Sequence, residues 1–359
     1  MKNIGVKILI VILLIVIIIA GVLIAIKFKN DKGNILQVIE NTEQEEKVVE
    51  IKEPKTFQGT DRPIAVMIDN HKDAMPQAGL NNAYLVYEII VEGGETRLME
   101  LFKGVNLDKI GPIRSSRHYY LDYALENDAI YVHFGWSPQA QADISKLNVN
   151  NINGLVESST SFWRVKDKYA PHNAVTSTEK ILEIAKRKGY ATTSTKKSVL
   201  NYVGDPVNLD SEIEAKEVTI PYSTSNTVKY EYDESTGRYI RYSRGIKQVD
   251  WDTKETVTVK NIIITKCDNW TLNDGENKGR QTLDNVKTLK GYYITNGKAI
   301  EITAEKSSRS AQTVYKDLNG NEIEVNDGNT FIQICPSDSK VKIEPGKTAQ
   351  VDNSTNTID

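Results

Sequence analysis

The chain of 359 residues is poor in the side chains that build most metal and redox centres: two cysteines, Cys267 and Cys335, and four histidines, His71, His118, His133 and His172. Neither cysteine belongs to a C-x-x-C pair, which argues against a thiolate zinc or redox site. No H-x-x-x-H or H-E-x-x-H spacing occurs, so no metal site is expected. The glycine patterns that cradle phosphates or dinucleotides, G-x-x-x-x-G-K-[ST] and G-x-G-x-x-G, are missing as well, and so is the G-x-S-x-G nucleophile elbow. No cofactor is therefore expected. Charge of one sign is also lacking: 45 basic residues face 48 acidic ones, a formal net charge of -3. A balance this even gives no field that would gather nucleic acid. Any recognition of an anion must be local.

What the chain does have is one long apolar run. Ile8 to Ile26, ILIVILLIVIIIAGVLIAI, holds nineteen residues without a charge. At about 1.5 Å per residue a helix of that length nearly spans the roughly 30 Å hydrocarbon core of a bilayer. It reads as a membrane anchor after a short flank (1–7), since nothing like A-x-A follows it as a cleavage site. Lys2 and Lys7 before the run face Lys27, Lys29 and Lys32 behind it, so charge alone does not set the orientation. A lone span followed by a polar tether is the usual layout of a surface protein, which puts the bulk outside the cytoplasm. Residues 27–61 are densely charged and without apolar period, and read as that tether. Residues 346–359 read as a disordered tail.

Between them the expected class is α+β, with a mixed α/β domain at 62–190, a connection at 191–220 and a β-rich domain at 221–345. Ile64 to Ile68 suit a buried strand, and Tyr84 to Gly94 a second. Thr96 to Gly104 alternates, with Thr96, Leu98, Glu100 and Phe102 on one face and Arg97, Met99, Leu101 and Lys103 on the other. A turn or bulge at Gly93 and Gly94 would bring Glu88, Glu92 and Arg97 together. Ser115 or Ser116 is placed to cap a helix running to about Asn127, with Arg114 and Arg117 flanking its first turn. Cations there oppose the helix dipole unless an anion or a carboxylate compensates them. Ser137 and Pro138 open another helix, and Thr176 with Glu179 forms a capping box for a third that stops at Gly189. The second half is read from short strands and from the turn pairs Asn296/Gly297 and Asn319/Gly320. Cys267 and Cys335 each end an apolar strand, and an even count permits a disulfide as well as two buried thiols.

Taken in order, RPIAVMIDNH (62–71), PQAGLNNAYLVYE (76–88), VEGGETRLMELF (91–102), GPIRSSRHYYLDYALENDAIYVHFGWSPQA (111–140) and APHNAV (170–175) resemble the YerB-like surface lipoproteins. The resemblance continues through TGRYIRYSRG, NIIIT, GRQTLDNV, YYITNGKA and GNTFIQICP, and so covers most of 62–345. It implies a Gram-positive envelope protein with an N-terminal and a C-terminal domain outside the membrane. Members of that family often carry a lipid-modified cysteine; here a plain apolar segment stands instead. The family supplies no reaction, so no catalytic residue is carried over.

The resulting expectation is an extracytoplasmic module, anchored through Ile8 to Ile26, with a polar cleft for an anionic wall polymer or lipid phosphate. Arg97, Arg114 and Arg117 would grip the anion, since guanidinium keeps its charge and presents a fork of donors. His133, His172 and Asn173 would line the opposite wall, with Glu88 and Glu92 orienting the arginines. The plain alternative for each arginine is a salt bridge to Glu88, Glu92 or Asp69. An envelope protein partner, a scaffold role, and an enzyme acting on phosphate-linked envelope precursors are the competing readings.

Overall fold

The computed structural model describes residues 52–346, and the expected anchor, most of the tether and the tail beyond 346 lie outside the described residues. Among the described residues no helix is long and apolar enough to cross a membrane.

Few helices and many strands make up the fold, and one sheet of ten strands organises it. Its N-terminal strands are β1 (Ile64–Asp69), β2 (Leu85–Ile90), β3 (Thr96–Phe102), β4 (Ile130–His133) and β5 (Asn151–Asn153). The order across the sheet is Val314–Asp317, Lys298–Glu305, Thr288–Thr295, Asn261–Cys267, Thr330–Pro336, β2, β3, β1, β4, β5. The two halves, expected as separate domains, therefore share one sheet. The seam is the parallel pairing of β2 with Thr330–Pro336, Leu85 opposite Thr330 through Ile89 opposite Ile334. Every residue of β1, β2 and β3 is buried, as strands covered on both faces require.

A second sheet packs on one face of the first; it runs Ile246–Lys247, Arg238–Ser243, Thr227–Asp233, Glu217–Pro221, Lys342–Glu344, with Thr258–Val259 beside Arg238–Ser243. Its Val218, Ile220, Val228 and Tyr230 join Val66, Ile68, Val86 and Leu98 in one core cluster. The opposite face is covered by α1 (Tyr120–Glu126) and α2 (Pro138–Lys146), whose Tyr120, Leu121 and Ile144 join Ala65, Met67, Tyr87 and Met99. A third helix, α3 (Thr178–Arg187), lies with Ile181 and Ile184 on the first face. Glu217–Pro221 of the second sheet begins inside the stretch expected as a connection, 191–220, and runs one residue past it.

The helix starts differ in instructive ways. Ser137 caps α2, its hydroxyl accepting from Ala140 N at 3.2 Å, with Pro138 in the first turn. The cap of α3 is Ser177, one residue after the expected Thr176. Ser115 and Ser116 cap nothing, because α1 begins only at Tyr120 with Tyr119 before it. Ser116 Oγ instead accepts from Tyr131 Oη at 2.8 Å. The Asn296–Gly297 turn, with φ of 50° and 75°, joins Thr288–Thr295 to Lys298–Glu305.

Both cysteines are free. Asn261–Cys267 and Thr330–Pro336 are parallel neighbours, but Cys335 pairs with Lys266 while Cys267 pairs with Pro336. That offset of one residue puts the thiols on opposite faces, Cys335 in the first core and Cys267 in the second. Burial raises both, Cys267 to about 12 and Cys335 to about 11, so neither is a reactive thiolate.

Candidate functional site: an arginine-lined hollow

The segment from Ile110 to Arg117 is extended, and backbone bonds from three directions hold it. Arg114 N donates to Met67 O at 2.8 Å, Ile113 N to Ala174 O at 2.7 Å, and Ser116 N to Gly135 O at 2.9 Å. Gly111, at φ +136°, allows the close approach, since a Cβ there would sit 3.0 Å from Ala174 O and from Ile113 N. Arg114 and Arg117 are thus fixed by tertiary pairing, and the dipole argument attached to a helix start does not apply to them.

Arg97 reaches the same place from β3. It lies across from Ile89, and so on the face opposite Glu88, which pairs with Leu98. Its Nη1 donates to Ser115 O, which ties β3 to the extended segment. Tyr119 Oη to Ile90 O at 2.7 Å and Tyr120 Oη to Arg97 O at 2.6 Å hold the start of α1 over the same hairpin. The turn of that hairpin, Glu92–Gly94, uses positive φ at Gly93 and Gly94, and a Cβ on Gly94 would lie 2.6 Å from Ser223 Cβ. The turn presents Glu92 to the arginines.

The result is a hollow of about 280 Å³ lined by Asp69, His71, Glu92, Glu95, Thr96, Arg97, Arg114 and Arg117, with Val91 and with Lys278 from the second half. Glu92 bonds Arg117 through Oε1, and its Oε2 lies 3.9 Å from Arg97. Asp69 Oδ2 sits 3.4 Å from Arg114 Nε and accepts from His172 Nδ1 at 2.8 Å. Three guanidinium groups therefore share two carboxylates. Arg117 Nε, buried, finds no acceptor. Glu95 and Lys278 are each engaged elsewhere, with Arg244 and Glu276. Burial, and then Arg117 beside it, brings Arg97 down to about 10. Burial pushes the Glu92 carboxyl up, but Arg97 and Arg117 more than offset it and hold it below the usual glutamate value.

Of the residues expected at a cleft, Arg97, Arg114, Arg117 and Glu92 meet here. His172 stands behind them, stacked on His71 at 4.6 Å between ring centroids. The other three are elsewhere. Glu88 is fully buried on the far face, where it bonds Arg241 at 2.6 Å, Thr96 Oγ1 at 2.8 Å and Asn70 Nδ2 at 3.1 Å. It joins the two sheets and orients no arginine of the hollow. His133 is buried among Tyr131 and Trp136, with its ring nitrogens on Gly135 O at 2.8 Å and Asn151 Oδ1 at 3.2 Å, and burial lowers its pKa. Asn173 organises its own loop, accepting from Arg164 at 2.6 Å and donating to Val165 O and Lys168 O. Asp69, named in the sequence only as a salt-bridge partner, links Arg114 to His172. Lys278 carried no signal: it lies in a polar stretch, NDGENKGRQ, like any solvated turn.

A larger groove, about 1120 Å³, opens beside α3 between Ile64, Phe102, Leu182 and Tyr190. Its charged lining mixes Arg62, Lys103 and Lys186 with Asp61, Glu179 and Glu183, so neither sign prevails there. The surplus of positive charge makes the smaller hollow the better candidate.

Comparison with known proteins agrees with this architecture. Residues 51–191 match the N-terminal domain, and residues 218–332 the C-terminal domain, of a family described as "Protein of unknown function (DUF3048)". The chain is 31% identical over 299 residues to "Putative lipoprotein YerB" of Bacillus subtilis (strain 168), covering 80% of this chain and 85% of that one. The chain belongs to the YerB family. The crystal structure of YerB protein from Bacillus subtilis superposes with a TM-score of 0.71 at 30% identity, over 81% of this chain and 99% of that one. The match to both halves of YerB fits a sheet that needs strands from both.

Proposed function

We propose that this member of the YerB family is a membrane-anchored protein of the outer cell surface that binds a phosphate-bearing envelope ligand in the hollow of Arg97, Arg114 and Arg117. The observation that carries the reading is the unequal sharing described above: three guanidinium groups, two carboxylates and an unpartnered buried Nε on Arg117. A bound anion would supply the missing acceptor and charge. The volume suits a phosphate group and not a whole polymer unit, so the ligand's remainder would lie outside. Support for the location comes from the apolar run Ile8 to Ile26 and from the lipoprotein name of the Bacillus relative.

The test is calorimetric titration of the full chain in detergent with inorganic phosphate, pyrophosphate and a lipid phosphate. Arg114, the most exposed of the three, is the variant of choice; Arg114→Ala should weaken binding about tenfold, the range of one charge-assisted bond. No saturable binding of any of the three probes would end the reading. Release of product from the pyrophosphate or the lipid would recast the protein as a hydrolase.

A further inference from the structure

We propose that His71, Asp73 and His172 form a binding site for a divalent transition-metal ion at the edge of the arginine hollow. The residues come from two separate segments, which is why no spacing motif marks them. His71 follows β1 and caps the short turn Lys72–Ala74, on which Asp73 sits. His172 lies in the loop before Ala174–Val175. One ligand atom from each lies within 4.8 Å of the other two.

His172 is prepared for a cation, and His71 and Asp73 reach one with a small adjustment. Asp69 Oδ2 accepts from His172 Nδ1 at 2.8 Å, which fixes that proton and leaves the Nε2 lone pair to coordinate. A carboxylate behind a histidine is the usual support of a metal-bound imidazole. His71 Nδ1 and Asp73 Oδ2 are 3.5 Å apart, close to the roughly 3.3 Å edge expected for ligands about 2.0 Å from a tetrahedral zinc ion. His71 Nδ1 is engaged only by Asp73 N at 3.2 Å, at an exposed position where water can take over that donor. The rings of His71 and His172 are stacked at 14°, so a modest rotation of the partly exposed His71 ring is needed to turn both lone pairs onto one ion.

Two imidazoles and a carboxylate favour zinc or cobalt over magnesium or calcium, which want all-oxygen shells. Among the charged groups around the cluster, Asp69 and Asp73 oppose Arg114, while Lys168 is turned to Ala74 O and Met75 O at 3.0 and 2.8 Å. Three protein ligands leave at least one coordination position open. Asp69 and His71 also line the hollow, so that position would neighbour an anion held by the arginines. This last step rests on the function proposed above; the metal site itself does not.

The experiment is titration of the chelator-stripped full chain in detergent with Zn²⁺, and with Co²⁺ as an optical probe. One ion per chain is expected, with visible cobalt bands of a low-coordinate nitrogen and oxygen site. His71→Ala and His172→Ala should each weaken Zn²⁺ binding at least about tenfold, and Asp73→Asn by several-fold. Because Asp73 is exposed, its variant tests the site without endangering the fold, and melting curves check the histidine variants. Absence of stoichiometric binding to the parent chain would overturn the proposal. So would Zn²⁺ affinity unchanged in Asp73→Asn and in a folded His172→Ala. Phosphate titration of the metal-free chain reports separately on the hollow, so either site can fail alone.

Discussion

Two carboxylate–guanidinium clusters lie on opposite faces of one hairpin, their glutamates four residues apart in sequence, and their surroundings are opposite. Glu88 faces the second sheet and is sealed from water with Arg241, Thr96 and Asn70 as its partners. Gln77 and Gln248 extend that network, Gln248 Nε2 donating to Gln77 Oε1 at 2.7 Å and Gln77 Nε2 to Asn70 Oδ1 at 2.9 Å. Glu92, at the hairpin's turn, keeps about a fifth of its side chain exposed and divides itself between two arginines. The first cluster sets one guanidinium against one carboxylate, with Arg241 Nε and Nη1 left without acceptors in a place water does not reach; the second has more cation than acid and opens to solvent. Residue types are the same in both, so the ratio of cation to acid and the access to water are what set the two clusters apart.

The largest effect should come from breaking the sealed pair. Glu88→Ala leaves Arg241 charged and buried, which costs about 3–5 kcal/mol in urea unfolding. Replacing both, Glu88→Leu with Arg241→Met, should recover most of that loss. If Glu88→Ala instead lowered phosphate affinity while stability held, the division between the clusters would be wrong.

Glu100 sharpens the contrast on the same sealed face. Its carboxyl is buried without a hydrogen-bond partner, and burial, followed by Asp250 nearby, raises its pKa well above the ordinary value. The folded chain then keeps a proton that the unfolded chain releases above about pH 4.3. Stability from this group is fully present below that value and is lost as pH rises toward the folded pKa, by up to about 1.4 kcal/mol per pH unit. Glu100→Gln should flatten the slope of unfolding free energy between pH 5 and 8. An unchanged slope would mean that Glu100 is ionised in the fold.

On the open cluster the expected effects are smaller in stability and larger in binding. Arg114→Ala should change unfolding by less than about 1 kcal/mol, as partly exposed pairs do, while phosphate affinity falls. Glu92→Gln should act in the other direction, raising phosphate affinity several-fold because three guanidinium groups would then share one carboxylate. Weaker binding in Glu92→Gln would show that the acid organises the arginines more than it competes with the ligand.

Much of this arrangement could be read from local pattern. The alternation along 96–104 put Arg97 and Glu100 on opposite faces, and the structure has them in opposite environments. Ser137–Pro138 and Asn296–Gly297 act locally, and both stand where they were expected. The convergence of Arg97 with Arg114 and Arg117 was anticipated from charge type alone. What local pattern could not carry was partner choice over long separations. Arg241 lies 153 positions from Glu88, and Lys278 enters the hollow from the other half of the chain. The stretch after Gly111 looked like a helix cap because serines read alike in both settings. Backbone groups of Met67, Gly135 and Ala174 claim it first. His133 shows the same limit: period two gave it a strand, but only packing decided that its face was sealed.

The strand Thr330–Pro336, the last of the ten in chain order, is inserted between Asn261–Cys267 and β2 in the middle of the large sheet. Until it arrives, β2 presents a bare hydrogen-bonding edge, which is a template for pairing with another chain. Closure across some 240 positions is also slow, since remote pairings give no return until a long loop is closed. Such a polypeptide must remain uncommitted through most of its translation. Premature stops as late as position 329 would release material that aggregates.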